Sequence, residues 1–215
     1  MTNVSASKRK RTRPVPSTAR STRSRTTTWV AIGGVVVVLV LAAMLLSGGG
    51  QQAGFAQAAV GEVSIDRDAT TTLQPGDPIP SFEAPSLAGG DTLAWDDLVG
   101  RPTILAMWAP WCPHCQAELP RLAAAVQARP DLQLVTITTA YGAQPGPTPQ
   151  EYLDDEGLSF PVAIDDVEGT LSAGFGVQGF PTTYFVDASG TVSEVTSGEI
   201  EPAQLDAILT GLLGP

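Results

Sequence analysis

Residues 107–120 read MWAPWCPHCQAELP. They hold both cysteines of the chain, Cys112 and Cys115, and between them its single histidine, His114. Such a pair is a staple, a metal site or a redox centre. A disulfide across two intervening residues closes a very small loop, and loop-closure stabilisation grows with loop length, so a staple would contribute little. A zinc site needs about four ligands, usually Cys and His. Three such residues within one run of four do not readily close a tetrahedron, so no metal site is expected, although copper carriage by the two thiols stays open. The redox reading rests on the surroundings. PTILAMWA, Pro102 to Ala109, is an apolar run of strand length. PHCQAELPRLAAAVQAR, from Pro113 onward, has helical spacing at Ala117, Leu119, Leu122 and Val126. Cys112 therefore falls where a buried strand hands over to a helix. There the unpaired amides and the helix dipole favour a thiolate. Cys115 lies about one turn on, on the same side and within reach of a disulfide. A stabilised thiolate both attacks and leaves at neutral pH, so the pair reads as a thiol–disulfide exchange centre.

Working outward, Pro120 lies inside the predicted helix and predicts a kink. Upstream, Gly89 and Gly90 suggest a hairpin turn. Downstream, LQLVTITT, Leu132 to Thr139, is β-branched and apolar, a second buried strand. After a Gly/Pro-rich loop, Thr148 and Pro149 read as the N-cap and first-turn proline of a short helix. FPVAID starts a strand, VEGTLSAGFG is a short helix ending at Gly174 or Gly176, and TTYFVDASGTVSEVTSG is a hairpin with DASG as its turn. EPAQLDAILTGLL closes the chain as an amphipathic helix. A strand–helix–strand unit followed by a hairpin and a helix predicts an α/β domain over residues 75–215, with a mixed central sheet flanked by helices.

The N-terminal part is of another kind. Residues 1–28 carry eight basic side chains and no acid, whereas residues 51–215 carry four arginines against 22 acids, a formal −18. Phosphates would be repelled by the acidic part, which argues against a nucleic-acid partner. The basic segment reads as a cytoplasmic tail touching anionic lipid. Trp29 to Leu46 is an uncharged apolar run of 18 residues. As a helix it spans about 27 Å, close to a bilayer core. Its cationic N-terminal flank predicts a cytoplasmic N-terminus and an extracytoplasmic domain on a single-pass anchor. The rival reading is a cleaved signal, with Ala56-Gln57-Ala58 resembling a cleavage site. That triplet lies ten residues past a run already long for a signal. No cysteine follows the run closely, so a lipid-modified anchor is excluded. Ser47 to Ala59 is Gly-rich and reads as a tether, and the stretch up to residue 74 shows little pattern.

WAPWCPHC resembles the thioredoxin superfamily motif, and CPHCQAELP fits the C-x-x-C-x-x-E-x-P pattern of its TlpA/ResA/DsbE-like branch. GFPTTYFVDASGTV is similar to that branch's proline loop and following hairpin, and the likeness runs from about Pro75 to Leu213. It implies a thioredoxin fold without a cofactor. Cys112 would be the attacking thiol, Cys115 the resolving thiol, and the two would form the redox disulfide. Pro113 and His114 would be the residues between them that tune the pair, and Glu118 a neighbour of the cysteines that influences their proton exchange. Pro181 would be cis and face the disulfide, with Trp111, Phe180 and Thr182 at the client-binding surface. There are departures. Ala106 stands where thioredoxin has a buried Asp, and no lysine follows Lys10, so thioredoxin's Asp–Lys pair is missing. A peroxiredoxin usually has Thr three residues before its reactive cysteine; Ala109 stands there, against peroxidase chemistry.

Two directions of electron flow are open. An oxidant passes its disulfide to exported proteins; a reductant reduces apocytochrome c or another exported thiol protein. A membrane redox partner would restore the pair in either case. A positive or donating His114 beside the Cys112 sulfur favours the reduced form and hence the oxidant, and the C-P-H-C choice resembles the oxidising DsbA proteins. Glu118 pulls the other way. The expectation is an extracytoplasmic oxidant, with the reductant as first alternative and a non-catalytic copper metallochaperone as second.

Overall fold

The computed structural model describes residues 62–68, 71–139 and 144–214. The proposed basic tail, anchor and tether lie outside these residues. Among the described residues no helix is long and apolar enough to cross a membrane.

The first strands are short: β1 (Ser64–Ile65), β2 (Phe82–Pro85) and β3 (Thr92–Ala94) form a small antiparallel sheet, and a single helical turn, Trp95–Asp97, follows. The main domain then runs β4 (Thr103–Trp108), α1 (Pro113–Gln127), β5 (Gln133–Thr138), α2 (Pro149–Glu156), β6 (Val162–Ile164), α3 (Thr170–Phe175), β7 (Thr182–Val186), β8 (Val192–Ser197) and α4 (Pro202–Leu213). Its five-stranded sheet has the order β6-β5-β4-β7-β8. β4, β5 and β6 are parallel, while β7 and β8 are antiparallel to their neighbours, so the sheet is mixed as expected.

Every residue of β4 is buried, because the central strand is covered on both faces. The alternation of side chains sorts it between two cores. Leu105 and Met107 pack with Val135, Ile137, Phe175 and Tyr184 on one face. Ile104 and Ala106 pack with Leu122, Leu134, Phe185, Leu205 and Leu209 on the other. Beyond them Trp108 joins a third cluster with both cysteines, Leu119, Tyr152 and Leu153. α2 begins as the sequence predicts. The Thr148 hydroxyl accepts from the Glu151 N–H, and the Glu151 carboxylate accepts from the Thr148 N–H, a reciprocal cap. α3 ends at Gly176, whose positive φ of 68° suits glycine.

Residues 62–74, patternless in sequence, are not linker over their whole length. Leu73 is fully buried, and Val63 and Ile65 pack on the same core. Arg67 donates to the Gly174 carbonyl at 2.7 Å and Thr72 to that of Gly176 at 2.6 Å. Described residues between 62 and 74 therefore pack against the residues expected to form the domain. The reason is that apolar side chains too sparse to show a period still fill a groove along α3.

α1 runs from Pro113 to Gln127 through Pro120. A proline has no N–H to give to the carbonyl four residues back, here that of Gln116. That carbonyl accepts the Tyr152 hydroxyl instead, at 2.9 Å. The Tyr152 ring packs on Trp108 with centroids 5.6 Å apart. The missing helical bond is thus replaced by a side chain from α2, which ties the two helices together next to the cysteines.

Candidate active site

Register brings the two key loops together. β4 ends at Trp108, and Met107 pairs with Thr182, the first residue of the antiparallel β7. Pro181, just before β7, must then lie beside the end of β4, from which the chain turns into the cysteine loop. The Phe180–Pro181 bond is cis, as the resemblance implies. The Cys112 thiol faces the Phe180 carbonyl at 3.7 Å. Trp111 and Phe180 meet edge to face, with centroids 6.2 Å apart and planes at 78°.

Cys112 is the N-cap of α1, in extended conformation (φ −85°, ψ 113°), and Pro113 occupies the first turn. The Cys112 sulfur accepts the Cys115 N–H at 3.4 Å. One of the orphan amides of the helix start is thereby spent on sulfur. The Gln116 side chain donates to the Pro110 carbonyl at 2.6 Å and braces the loop. Both thiols are free; Cys112 is 5% exposed and Cys115 0%. The order of burial is the expected one, though the Cys112 sulfur lies deeper than a freely accessible thiol. Burial pushes the Cys115 thiol up, and the nearby Cys112 and Glu118 push it further, against one backbone hydrogen bond.

Glu118 is no helix-surface acid: it is 1% exposed. One oxygen accepts the Thr183 hydroxyl and the other the Ile200 N–H, each at 2.8 Å. Burial pushes its carboxyl up, and these two bonds and Arg121 offset part of that.

Two of the expected residues have partners of their own in the structure. His114, expected beside the Cys112 sulfur, is 70% exposed, and its Nδ1 pairs with Glu199 at 2.9 Å. The carboxylate after β8 supplies an ionised hydrogen-bond partner. Thr182, expected at the client-binding surface, is 2% exposed, and its hydroxyl donates to the Gly179 carbonyl at 2.7 Å. As the first residue of a buried strand it braces the proline loop from inside. Trp111, Phe180 and Pro113 do border the cysteines, whereas Trp108 is buried and donates to the Thr136 hydroxyl at 3.1 Å.

Sequence reasoning missed Arg121, Glu199, Thr183, Ile200 and Tyr152. Arg121 donates to Glu199 and to the Ile200 carbonyl. Its position was legible, because residues 114, 118 and 121 follow the spacing of one helical stripe. Glu199 comes from a loop 85 residues away from His114, and no local pattern announces it.

With this geometry in view, comparison with known proteins decides the family. The family model described as AhpC/TSA matches residues 75–195. The chain belongs to the AhpC/TSA family. It is similar to the thiol:disulfide interchange protein DsbE of Pseudomonas fluorescens biotype C, with 30% identity over 126 residues, 59% of this chain and 68% of that protein. It is similar to the thiol-disulfide oxidoreductase ResA of Halalkalibacterium halodurans, with 29% identity over 109 residues, 51% of this chain and 61% of that protein. Among solved structures, a thiol:disulfide interchange protein of Chlorobium tepidum superposes with a TM-score of 0.54 at 29% identity, covering 67% of this chain and all of that one. This member of the AhpC/TSA family is a thiol–disulfide oxidoreductase of DsbE/ResA type with a thioredoxin-like fold.

Proposed function

We propose that the chain is a membrane-anchored, extracytoplasmic oxidant that donates the Cys112–Cys115 disulfide to exported protein thiols. The observation that carries this reading is the Cys112 sulfur at the N-cap of α1, accepting the Cys115 N–H at 3.4 Å. A helix start that gives an amide to sulfur stabilises negative charge there, and so favours the dithiol over the disulfide. The upward shift of the Glu118 carboxyl weakens the nearby negative charge that would oppose this.

Exchange then runs in two steps. A client thiolate attacks the Cys112 sulfur, the Cys112–Cys115 bond breaks, and the Cys115 sulfur leaves and takes up a proton. The Glu118 carboxyl, itself raised by burial, acts on the Cys115 thiol electrostatically and favours its protonated form. A second client thiolate attacks the client sulfur of the mixed disulfide and releases Cys112. Two electrons pass from the client to the pair, and a membrane redox partner reoxidises it. Trp111, Phe180 and Pro181 form the edge on which the client lies. Pro113 fixes the first turn, and the buried Thr182 holds the proline loop. The apolar run Trp29 to Leu46 with its cationic flank supports the anchor and the extracytoplasmic placement.

The reductant alternative is favoured by one observation: Glu199 places a carboxylate on His114, so the imidazole has a partner other than the sulfur. Equilibration of the full chain with glutathione separates the two. Such couples span about −270 mV for a reductant to about −120 mV for a strong oxidant. The oxidant reading expects the less negative half of that range, and a value at the other end hands the site to the reductant. For topology, an exported reporter fused after Gly61 is expected to be active, with the chain in the membrane fraction. Secreted material whose N-terminus lies near Ala59 would overturn the anchor.

A further inference from the structure

We infer that Glu199 is a positioning residue for the redox pair: it holds the His114 imidazole away from the Cys112 sulfur and so restrains the oxidising power of the couple. The inference rests on the reading that Cys112 and Cys115 exchange disulfides, and not on the direction of exchange.

The Glu199 carboxylate is built into place. One oxygen pairs with His114 Nδ1 at 2.9 Å, and the other accepts from Arg121. Arg121 is itself fixed, donating from Nε to the Ala117 carbonyl at 3.1 Å and from a guanidinium nitrogen to the Ile200 carbonyl. The loop that carries Glu199 is tied on both sides. The Gly198 N–H donates to the Pro181 carbonyl at 2.9 Å, and the Ile200 N–H donates to Glu118 at 2.8 Å. Glu199 is only 27% exposed, against 70% for the histidine it holds. A loose surface ion pair contributes little. Here one partner is anchored by Arg121 and its loop, so the pair holds an exposed ring to a fixed carboxylate.

Its effect on the sulfur has a definite sign. His114 is two residues past Cys112, and a ring freed from Glu199 can turn toward that sulfur and donate to its thiolate. The carboxylate also adds negative charge near the motif, which disfavours the thiolate. Both effects of Glu199 oppose the dithiol form, so removing it shifts the couple toward the oxidising side.

The test is a four-way comparison in the full chain: wild type, Glu199→Gln, His114→Ala and the double variant, each equilibrated with glutathione and read by thiol alkylation. The two cysteines of the motif are the only ones in the chain, so alkylation reports the couple directly. Glu199→Gln is expected to raise the equilibrium constant for reduction of the pair by about threefold or more, about 14 mV at 29.6 mV per tenfold. Glu199→Ala should act in the same direction, which covers the case where the Gln amide keeps hold of the ring. In the His114→Ala background the shift should shrink to less than half on the logarithmic scale. An unchanged constant in both Glu199 variants, or a shift equally large with and without His114, overturns the inference. A wild-type couple at the reducing end overturns the direction proposed above while the coupling between residues 114 and 199 is still read. Absence of exchange in all four proteins overturns both.

Discussion

One peptide unit, between Glu199 and Ile200, separates two carboxylates that the fold treats in opposite ways. On its buried side the Ile200 N–H serves Glu118, which is closed off from water with the Thr183 hydroxyl as its other partner. Burial pushes that carboxyl up. On the exposed side Glu199 meets His114 and Arg121, whose hydrogen bonds hold its carboxyl below the ordinary value. The two side chains are chemically identical. Desolvation wins where water is excluded, and hydrogen bonding to the carboxylate wins where water remains. The site thus holds one carboxyl that burial makes readier to keep a proton and, beside the histidine, one that pairing makes readier to lose it.

The largest expected effect removes the chemistry that both carboxylates attend. Cys112→Ser should abolish exchange, whereas Cys115→Ser should accumulate mixed disulfides with clients, seen on non-reducing gels. Equal trapping by both variants would erase the division between attacking and resolving thiols. Next comes the buried side. Glu118→Ala strands the Thr183 hydroxyl and the Ile200 N–H, and each buried orphan costs roughly 1–3 kcal/mol. Chemical denaturation should report a loss in that range or above it. The pH dependence has a sign. The folded-state value of Glu118 lies above the unfolded 4.5, so the folded protein binds the extra proton. The associated stability is complete below 4.5 and is lost as pH rises through the raised value. A denaturation midpoint that does not decline over that window, or that declines equally in Glu118→Gln, would contradict the assignment.

Tyr152→Phe sits between the two sides in size. It leaves the Gln116 carbonyl without the donor that stands in for the missing Pro120 amide, and should cost roughly 1 kcal/mol, read as a shift in denaturation midpoint at unchanged slope. The smallest effect belongs to the exposed side. Glu199→Gln should leave thermal stability within experimental scatter at neutral pH. Any contribution of Glu199 is present above the ordinary carboxylate value and lost as pH falls through its lowered one, the reverse of Glu118. A large melting shift in this variant would make Glu199 a structural residue.

Much of the fold is written in local pattern. The strand over residues 103–108, the helix after Cys112, the cap at Thr148 and the hairpin turn at Asp187–Gly190 each follow from periodicity or turn chemistry within a few residues. The cysteine pair and its place at a helix start were legible for the same reason. Contacts across the sheet were not. That His114 turns to Glu199, that Thr182 faces inward and that Tyr152 reaches the Gln116 carbonyl all depend on which loops the strand order β6-β5-β4-β7-β8 places side by side. Glu118 shows the limit well. Its helical stripe was readable, but its burial is set by Thr183 and Ile200, distant in sequence.

The segment that crosses α3 has a practical consequence for anyone preparing the domain alone. The family match opens at residue 75, yet Ile65 lies against Gly174 so closely that a Cβ there would sit 2.6 Å from it, and a Cβ on Gly176 would fall 2.2 Å from the Thr71 carbonyl. A protein trimmed at Pro75 would uncover those two glycines and the seats of Ile65 and Leu73, presenting an apolar furrow to solvent. Such a furrow invites aggregation. A boundary upstream of Glu62 keeps it filled.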